Sequence, residues 1–399
     1  MRLKTAAIAV SGALVVSSLA ACSGSSSSSP TSSAVPIPSA VTPSDQIVLN
    51  NIQPNDGITP VVKFIKTATK SIDISIYEMD PNYKPLVNPL AAAVKKGISV
   101  RLSISRQLIG QPNPPEGNAV QIQKMQQFHV LGINAQLSRP EFHYAHEKAI
   151  ILDAGTPQAR VMVGDWNLQA SYFGPGPYGP VGARGFAVLD TNTDDAAEIE
   201  ANFVADFPPY QPWPASTRGS LVWSPSGPDF QPPGDSITAL TGFVNGAQKT
   251  LDAYVAFTNV PSIMMNAVIA RAKAGVKVRL VGNSSAFSSA EQLQQIKAAG
   301  IQVVFDPPGP KPGQTATMFV HGKTMVADAG LATEKAFVGS QNLFIDESLQ
   351  SILELGTLVT NNPSIATLEA TFDRDFAVSS PNQAPQPSPS AATSKPAGG

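Results

Sequence analysis

The chain carries His146-Glu147-Lys148-Ala149-Ile150-Ile151-Leu152-Asp153, and it carries the same pattern again as His321-Gly322-Lys323-Thr324-Met325-Val326-Ala327-Asp328. Both stretches read H-x-K-x-x-x-x-D, and each is followed by a G-x-x-N segment, Gly164-Asp165-Trp166-Asn167 and Gly339-Ser340-Gln341-Asn342. The copies are 175 residues apart at all five shared positions. A given His has Lys at +2 and Asp at +7 by chance only about once in several hundred cases. The chain has four histidines, so two full matches indicate a duplicated half-site.

The duplication extends upstream of the two motifs. Residues 70–73 match 249–252, and residues 94–102 match 272–280. In each half, apolar runs typical of buried strands alternate with helical segments that end at a glycine. The predicted strands are 71–77, 98–104, 148–153, 160–163, 250–257, 276–281, 302–305, 323–328 and 335–338, and the predicted helices are 86–96, 121–131, 262–274 and 289–299. This alternation predicts an α/β fold of right-handed βαβ units with a mostly parallel sheet.

The motif residues indicate a chemistry once they are placed on a strand. Side chains two residues apart share a face, so His146 and Lys148 point the same way, as do His321 and Lys323. Asp153 lies seven residues after His146 and faces away or caps the strand, which favours a structural or orienting role. A His, a Lys and an Asn from each half suit a phosphodiester. Lys and Asn bind the phosphoryl oxygens, one imidazole attacks phosphorus, and the other protonates the leaving oxygen.

These residues resemble the phospholipase D superfamily, whose signature is a pair of H-x-K-x4-D motifs, each followed by G-x-x-N. The resemblance covers roughly residues 47–378. It implies a pseudo-twofold duplicated fold, a bilobed α/β/α/β/α sandwich with mixed, mostly parallel sheets and one active site between the halves. It also implies a covalent phosphohistidine intermediate, with no required metal or other cofactor.

The resemblance also assigns a role to each motif residue. His146 matches the nucleophile and His321 the general acid and later base, although the two roles could be reversed. Glu354 matches an acid that orients the motif His, and the corresponding first-half stretch, residues 183–186, contains no acid. Asp165 or a backbone carbonyl is the alternative partner for His146. The expected catalytic set is His146, Lys148, Asp153, Asn167, His321, Lys323, Asp328, Asn342 and Glu354, with Lys148, Asn167, Lys323 and Asn342 binding the substrate phosphate.

The two ends of the chain differ in composition from its middle. Residues 1–21 have the basic start and small apolar run of a secretory signal, and the ending Leu-Ala-Ala-Cys22 resembles a bacterial lipoprotein signal. Cys22 is the only cysteine, and we expect it to be lipidated and to anchor the protein to the outer face of the cytoplasmic membrane; a plain signal peptide is the alternative. The remaining predicted segments are a Ser/Pro-rich tether at 22–46, half 1 at 47–215, half 2 at 216–378 and a disordered Pro/Ser/Ala tail at 379–399.

Composition narrows the choice of substrate and partner. The net charge is -2 and charged residues make up 14 % of the chain, so no field over the whole protein attracts nucleic acid. We therefore expect a monomer that hydrolyses phospholipids or transfers their head groups. The alternatives are an extracellular endonuclease and a non-catalytic envelope binding protein that kept the fold. The motifs lack clusters of hard-cation or thiolate ligands, so the sequence predicts no metal site.

A loop after Asn167 has two interpretations. Residues 171–182 are rich in Gly, Pro and aromatic residues and carry no charge. They form either an irregular surface loop or an apolar rim that touches a lipid surface beside the site.

The predicted anchor can be tested by removing its thiol. Cys22→Ala should move the protein from the membrane fraction to the soluble fraction, because a lipid chain can be attached only through that sulfur. Fractionation and immunoblotting of both forms provide the measurement. An unchanged distribution would remove the lipoprotein interpretation.

Overall fold

The computed structural model of the chain describes residues 46–227, 230, 234–287, 289–311 and 313–381. The predicted signal, Cys22, nearly all of the tether and residues 382–399 of the tail lie outside these residues. None of the helices in the described part is both long and apolar enough to cross a bilayer.

The first half contains strands β1 to β7 and helices α1 to α5. Their bounds are β1 Ile47–Gln53, α1 Thr59–Ile65, β2 Ser71–Ile76, α2 Lys84–Lys95, β3 Ser99–Ile104, α3 Ala119–Val130, β4 Asn134–Leu137, β5 Lys148–Leu152, β6 Arg160–Gly164, α4 Ala170–Phe173, β7 Ala183–Asp190 and α5 Thr193–Asp206. Helix α2 ends before Gly97, whose φ of 81° is a conformation that residues with a Cβ rarely adopt. Gly275, with φ of 95°, follows the matching helix of the second half.

The second half repeats this order. Its elements are β8 Leu221–Ser224, α6 Ser236–Asn245, β9 Thr250–Val255, α7 Ile263–Lys273, β10 Lys277–Gly282, a 3₁₀ turn Ser284–Ala286, α8 Ala290–Ala298, β11 Gln302–Phe305, β12 Phe319–Val320, β13 Met325–Ala327, β14 Lys335–Gly339, α9 Asp346–Gln350, β15 Glu354–Val359 and α10 Asn362–Val378. The elements predicted from sequence are all present, with ends within two residues of the prediction.

Each half contributes one mixed sheet. The first has the order β1-β7-β6-β5-β2-β3-β4, with β12 of the second half added along β7, and the second has the order β11-β10-β9-β13-β14-β15-β8. Among the named strands, parallel pairing occurs in β2-β3-β4, β9-β10-β11 and β7-β12. The mixed α/β class is confirmed, but the expectation of mostly parallel sheets was wrong. Within each half, the strands that run parallel are those joined through helices, whereas each motif strand returns through a short turn and pairs antiparallel.

The order of the layers is set by the apolar faces that each sheet buries. One outer core packs α1, α2 and α3 on the first sheet, and a second outer core packs α6, α7 and α8 on the second sheet. A central core joins the inner faces of both sheets and includes residues of α5 and α10, such as Phe203 and Phe372. The result is the expected α/β/α/β/α sandwich, in which the central apolar core is shared by the two halves.

A buried ion pair crosses that interface. Arg184 on β7 donates from Nε to Asp375 Oδ2 on α10 at 2.6 Å and from Nη2 to Oδ1 at 3.1 Å. Both side chains are fully buried, and the Tyr254 hydroxyl donates a further bond to the same carboxylate at 2.9 Å. A charge at this depth needs its partner, because desolvation of either ion alone is unfavourable.

Breaking this pair should destabilise the fold more than replacing it. We expect Arg184→Met to lower the free energy of unfolding by about 3 kcal/mol, because Asp375 stays buried with only Tyr254 and the partly exposed Arg374 beside it. The double variant Arg184→Met/Asp375→Leu should lose less, since it leaves no buried charge. Urea unfolding of the three proteins measures this, and a double variant less stable than the single one would contradict the assignment.

Candidate active site

The two motif histidines lie where the halves meet, and each is held by the opposite half. The backbone N–H of His146 donates to the carbonyl of Leu353 at 2.8 Å. The backbone N–H of His321 donates to the carbonyl of Arg184 at 3.0 Å. The backbone at each motif histidine is therefore hydrogen-bonded to a strand region of the other half.

The side chains of both motifs form one buried cluster. His146, Lys148, His321 and Lys323 are all buried. Burial lowers the pKa of His146, and the charges of Lys148 and Lys323 lower it further. Burial lowers the pKa of His321 as well, with contributions from Lys323, Lys148 and His146. Charges from both halves thus act on the same imidazoles, and both rings are neutral at pH 7.

The side-chain nitrogens of the two lysines lie close to the motif histidines, and burial makes both lysines easier to deprotonate. Lys323 Nζ lies 2.9 and 3.0 Å from the two ring nitrogens of His321 and donates to the His321 carbonyl at 2.7 Å. Lys148 Nζ donates to the carbonyl of His146. Burial lowers the pKa of Lys148 to about 7 and that of Lys323 to about 8. An anion between them would raise both values and keep both groups protonated.

Glu354 contacts the histidine of the other half. Its Oε2 lies 2.9 Å from Nδ1 of His146, and its Oε1 accepts a 2.5 Å hydrogen bond from the Ser348 hydroxyl. Burial raises the pKa of Glu354 to about 7, although Lys148 opposes that shift. The expected alternative partner of His146, which was Asp165 or a backbone carbonyl, was wrong, because Glu354 of the other half takes that place. With Glu354 ionised, the proton of His146 lies on Nδ1 and the lone pair on Nε2.

The first half carries its acid at a different position. Gly339 pairs with Gly356, and Gly164 pairs with Ala187, so the counterpart of Glu354 is Gly185. A Cβ on Gly185 would lie 2.3 Å from Asp165 Oδ1, so the Asp165 carboxylate fills the space beside this glycine. Asp165 in turn stands where the second half has Ser340.

The carboxylate of Asp165 is held by a backbone N–H group, and its backbone contacts the histidine of the second half. Its Oδ2 accepts the backbone N–H of Phe186 at 3.0 Å. Burial raises its pKa to about 7, and the charge of Lys323 is the main opposing influence. A hydrogen bond with the backbone of Asp165 also raises the pKa of His321. Sequence reasoning missed this role, although the sequence contains a signal for it. The first half has Gly185 where the second half has Glu354, and it has Asp165 where the second half has Ser340.

Asp153 and Asp328 do not reach this cluster. Both sit just after their motif strands with φ of 55° and 56°. Asp153 Oδ1 accepts the backbone N–H groups of Thr69 and Lys70 at 2.8 and 2.6 Å, and Asp328 accepts the matching pair in the second half. Desolvation raises the pKa of Asp153, but the N–H donors of Lys70 and Thr69 outweigh it and lower the net value. The two aspartates hold the start of β2 and β9, so their place in the expected catalytic set is corrected to a structural one.

The two asparagines offer free acceptors and a link between the halves. Asn167 Nδ2 donates to the Tyr172 hydroxyl at 3.0 Å, and the Tyr172 ring meets the His321 ring edge-on with centroids 5.0 Å apart. Among the hydrogen bonds of the described residues, Oδ1 of Asn167 and Oδ1 of Asn342 have no partner. Buried polar atoms of this kind are expected to bind a ligand or water.

Two tyrosines that the sequence did not single out complete the walls. Tyr77, at the end of β2, meets the His146 ring edge-on with centroids 4.9 Å apart. Tyr172 does the same for His321 from the apolar loop of residues 171–182, and Tyr178 of that loop stacks on Phe319 at 5.2 Å. The loop therefore lies beside the candidate site, and contact with a lipid surface stays a prediction. In the described part of the chain, no group of three or more His, Cys, Asp or Glu residues is placed so that it could hold a metal ion.

Comparison with known proteins finds one matching family profile and several structures of similar fold. A family profile described as "Cardiolipin synthase, PLD-like domain" matches residues 61–206 and 240–376. The phosphatidylserine synthase of Haemophilus influenzae Rd KW20 superposes with a TM-score of 0.60 at 13% identity, over 84% of this chain and 87% of that chain. The polyphosphate kinase of Porphyromonas gingivalis superposes with a TM-score of 0.57 at 13% identity, over 82% of this chain and 50% of that chain. No functionally curated protein sequence matches significantly.

The lowered lysine pKa values predict that anion binding takes up protons. The protein should take up protons when tungstate binds at pH 8. Above pH 8, the affinity for tungstate should fall by about tenfold per pH unit for each proton that binding takes up. Calorimetry in two buffers of different ionisation enthalpy measures the uptake. Lys323→Met should weaken binding and reduce the uptake, while Lys84→Met, at an exposed position, should change neither. An affinity independent of pH would contradict the assignment of these lysines.

Proposed function

The chain belongs to the phospholipase D superfamily, and from that premise we propose that it is a phosphodiesterase that forms a phosphohistidine and cleaves or transfers the head groups of phospholipids. The observation that carries this proposal is the joint burial of His146, Lys148, His321 and Lys323, contributed equally by the two halves. One phosphodiester can occupy such a site with a histidine on either side.

The environments of the two histidines support a division of roles. Glu354 holds Nδ1 of His146, which leaves Nε2 as the nucleophile. As Nε2 bonds to phosphorus, the bond to the leaving oxygen breaks and His321 supplies the proton. Burial lowers the pKa of His321, so His321 needs the negative charge of the bound phosphate to become protonated. Water or an alcohol then gives its proton to His321 and its oxygen to phosphorus, which releases His146.

The lysine Nζ groups and the side-chain N–H groups of the asparagines would hold the phosphoryl oxygens throughout, since an amide oxygen can only accept hydrogen bonds. Lys148 and Lys323 supply positive charge from opposite sides, and Asn167 and Asn342 lie at the ends of the following strands. Preorganised donors in a buried site stabilise the charge that accumulates in the transition state without reorganising.

Several observations favour a lipid as the substrate. The net charge of -2 gives no electrostatic attraction for a nucleic acid. The matching family is described as cardiolipin synthase-like, and one structural neighbour is a phosphatidylserine synthase. The predicted lipidation of Cys22 would hold the protein at a membrane surface, where its substrate is concentrated.

A substrate panel tests the proposal directly. The purified chain is assayed with phosphatidylcholine, phosphatidylglycerol, cardiolipin, single-stranded DNA and an aryl phosphodiester, all with a strong chelator present. We expect release of a head group from at least one phospholipid and no dependence on added metal. Cleavage of DNA alone would establish the nuclease alternative, turnover of no substrate would favour a binding protein, and activity that only Zn²⁺ or Ca²⁺ restores would overturn the mechanism.

The two histidines should behave as one catalytic unit. His146→Asn and His321→Asn should each lower kcat by about 10²-fold or more, and the double variant should be little worse than the worse single one. The pH profile should be bell-shaped, because one imidazole must be neutral and the other protonated, and its two limbs belong to the coupled pair. Steady-state kinetics of the four proteins measure this. Fully multiplicative losses would argue that the histidines act independently.

A further inference from the structure

We propose that an apolar cleft beside the candidate site seats an acyl chain of the lipid whose phosphate lies between His146 and His321. This inference rests on the proposed function and names the part of the substrate that the site selects. The cleft occupies about 340 Å³. We refer to it as the acyl cleft, and its main lining residues are Ile109, Tyr144, Phe257, Asn342, Ile345 and Ile352.

The acyl cleft adjoins the candidate site through one residue that belongs to both. Asn342, one of the expected phosphate ligands, forms part of its wall. Ile109 and Tyr144 come from the first half and Phe257 and Ile352 from the second, so the cleft lies on the same interface as the histidines. A chain attached to a phosphate held by Asn342 would enter this space first.

Packing connects the cleft to the proposed nucleophile as well. Tyr144 and Ile352 belong to a small buried cluster with Tyr77 and Leu108. The Tyr77 ring meets the Tyr144 ring with centroids 6.4 Å apart and the His146 ring with centroids 4.9 Å apart. The Tyr77 hydroxyl accepts the backbone N–H of Ile109 at 2.8 Å, which holds the rim of the cleft to the wall of the active site.

The chemistry of the lining favours a hydrocarbon over a charged group. Ile109 and Phe257 are 56% and 45% exposed, and large apolar side chains with that exposure at the mouth of a cleft favour an apolar partner. Glu347 is the one charged residue among the described residues that line the cleft, and it is paired at 2.5 Å with Nδ1 of His143. The lining thus offers no cation to a carboxylate or a second phosphate, whereas an acyl chain needs none.

Alkyl monophosphates of different length isolate the contribution of the chain. We compare the binding of ethyl phosphate and octyl phosphate by calorimetry below their aggregation thresholds. Each buried methylene contributes at most about fourfold in affinity, so octyl phosphate should bind about tenfold or more tightly than ethyl phosphate even if few methylenes are covered. The double variant Ile109→Ser/Phe257→Ser should bring this ratio to within about threefold and leave the affinity for ethyl phosphate unchanged.

Matched controls separate the cleft from general hydrophobicity. Val130→Ser and Leu331→Ser remove apolar side chains that are 87% and 42% exposed elsewhere on the surface, and both should keep the wild-type ratio. Equal affinity for the two phosphates in the wild type, or loss of the ratio in a control variant, would overturn the acyl cleft. Turnover of p-nitrophenyl octyl phosphate is measured in parallel. A chain-length effect on binding without any turnover would support the cleft and count against the proposed function instead.

Discussion

The constraint on which this structure depends is the burial of two lysines and two histidines at one interface. Like charges in a site of low dielectric repel one another, and desolvation disfavours every one of them. Two buried acids, Glu354 and Asp165, limit that penalty, and their own pKa values rise to about 7. The pKa values of Glu354, Asp165 and Lys148 therefore all lie close to neutral pH. A phosphodiester would supply negative charge beside the two lysines, so the charges of the site are complementary to the ligand we propose.

The duplicated halves are not equivalent, and the difference has a chemical use. The second half has Ser340 with Glu354, and the first half has Asp165 with Gly185. As a result, His146 faces a carboxylate through Nδ1, whereas His321 lies against Lys323 and the backbone of Asp165. A nucleophile and an acid need different environments. The second half carries its acid, Glu354, at the start of β15, and the first half carries its acid, Asp165, directly after β6. This difference gives the two histidines unequal surroundings although the two halves are duplicates.

Much of the fold could be predicted from the repeat, because a fixed offset and alternating apolar runs report local structure. The antiparallel majority could not, since strand direction depends on whether a helix or a short turn makes each connection. The partner of Glu354 was missed for a related reason: spacing within one half does not reveal which residues of the other half it meets. Tyr77, which follows β2, and Tyr172, which lies in α4, gave no signal, because a single aromatic residue usually belongs to the core. Asp153 and Asp328 belong to the motif, yet their roles depend on N–H groups about eighty residues away in sequence.

The central claim is that both halves act on one phosphorus atom, with the covalent bond on His146. Acid quenching of the His321→Asn variant, after brief reaction with an aryl phosphodiester labelled on phosphorus, tests it most directly. Its aryl leaving group needs no protonation, so the intermediate should form and then persist without a base to hydrolyse it. We predict one label per chain, on the peptide that contains His146, and no label in His146→Asn. Label on His321 in the His146→Asn variant, or two labels per wild-type chain, would contradict the account.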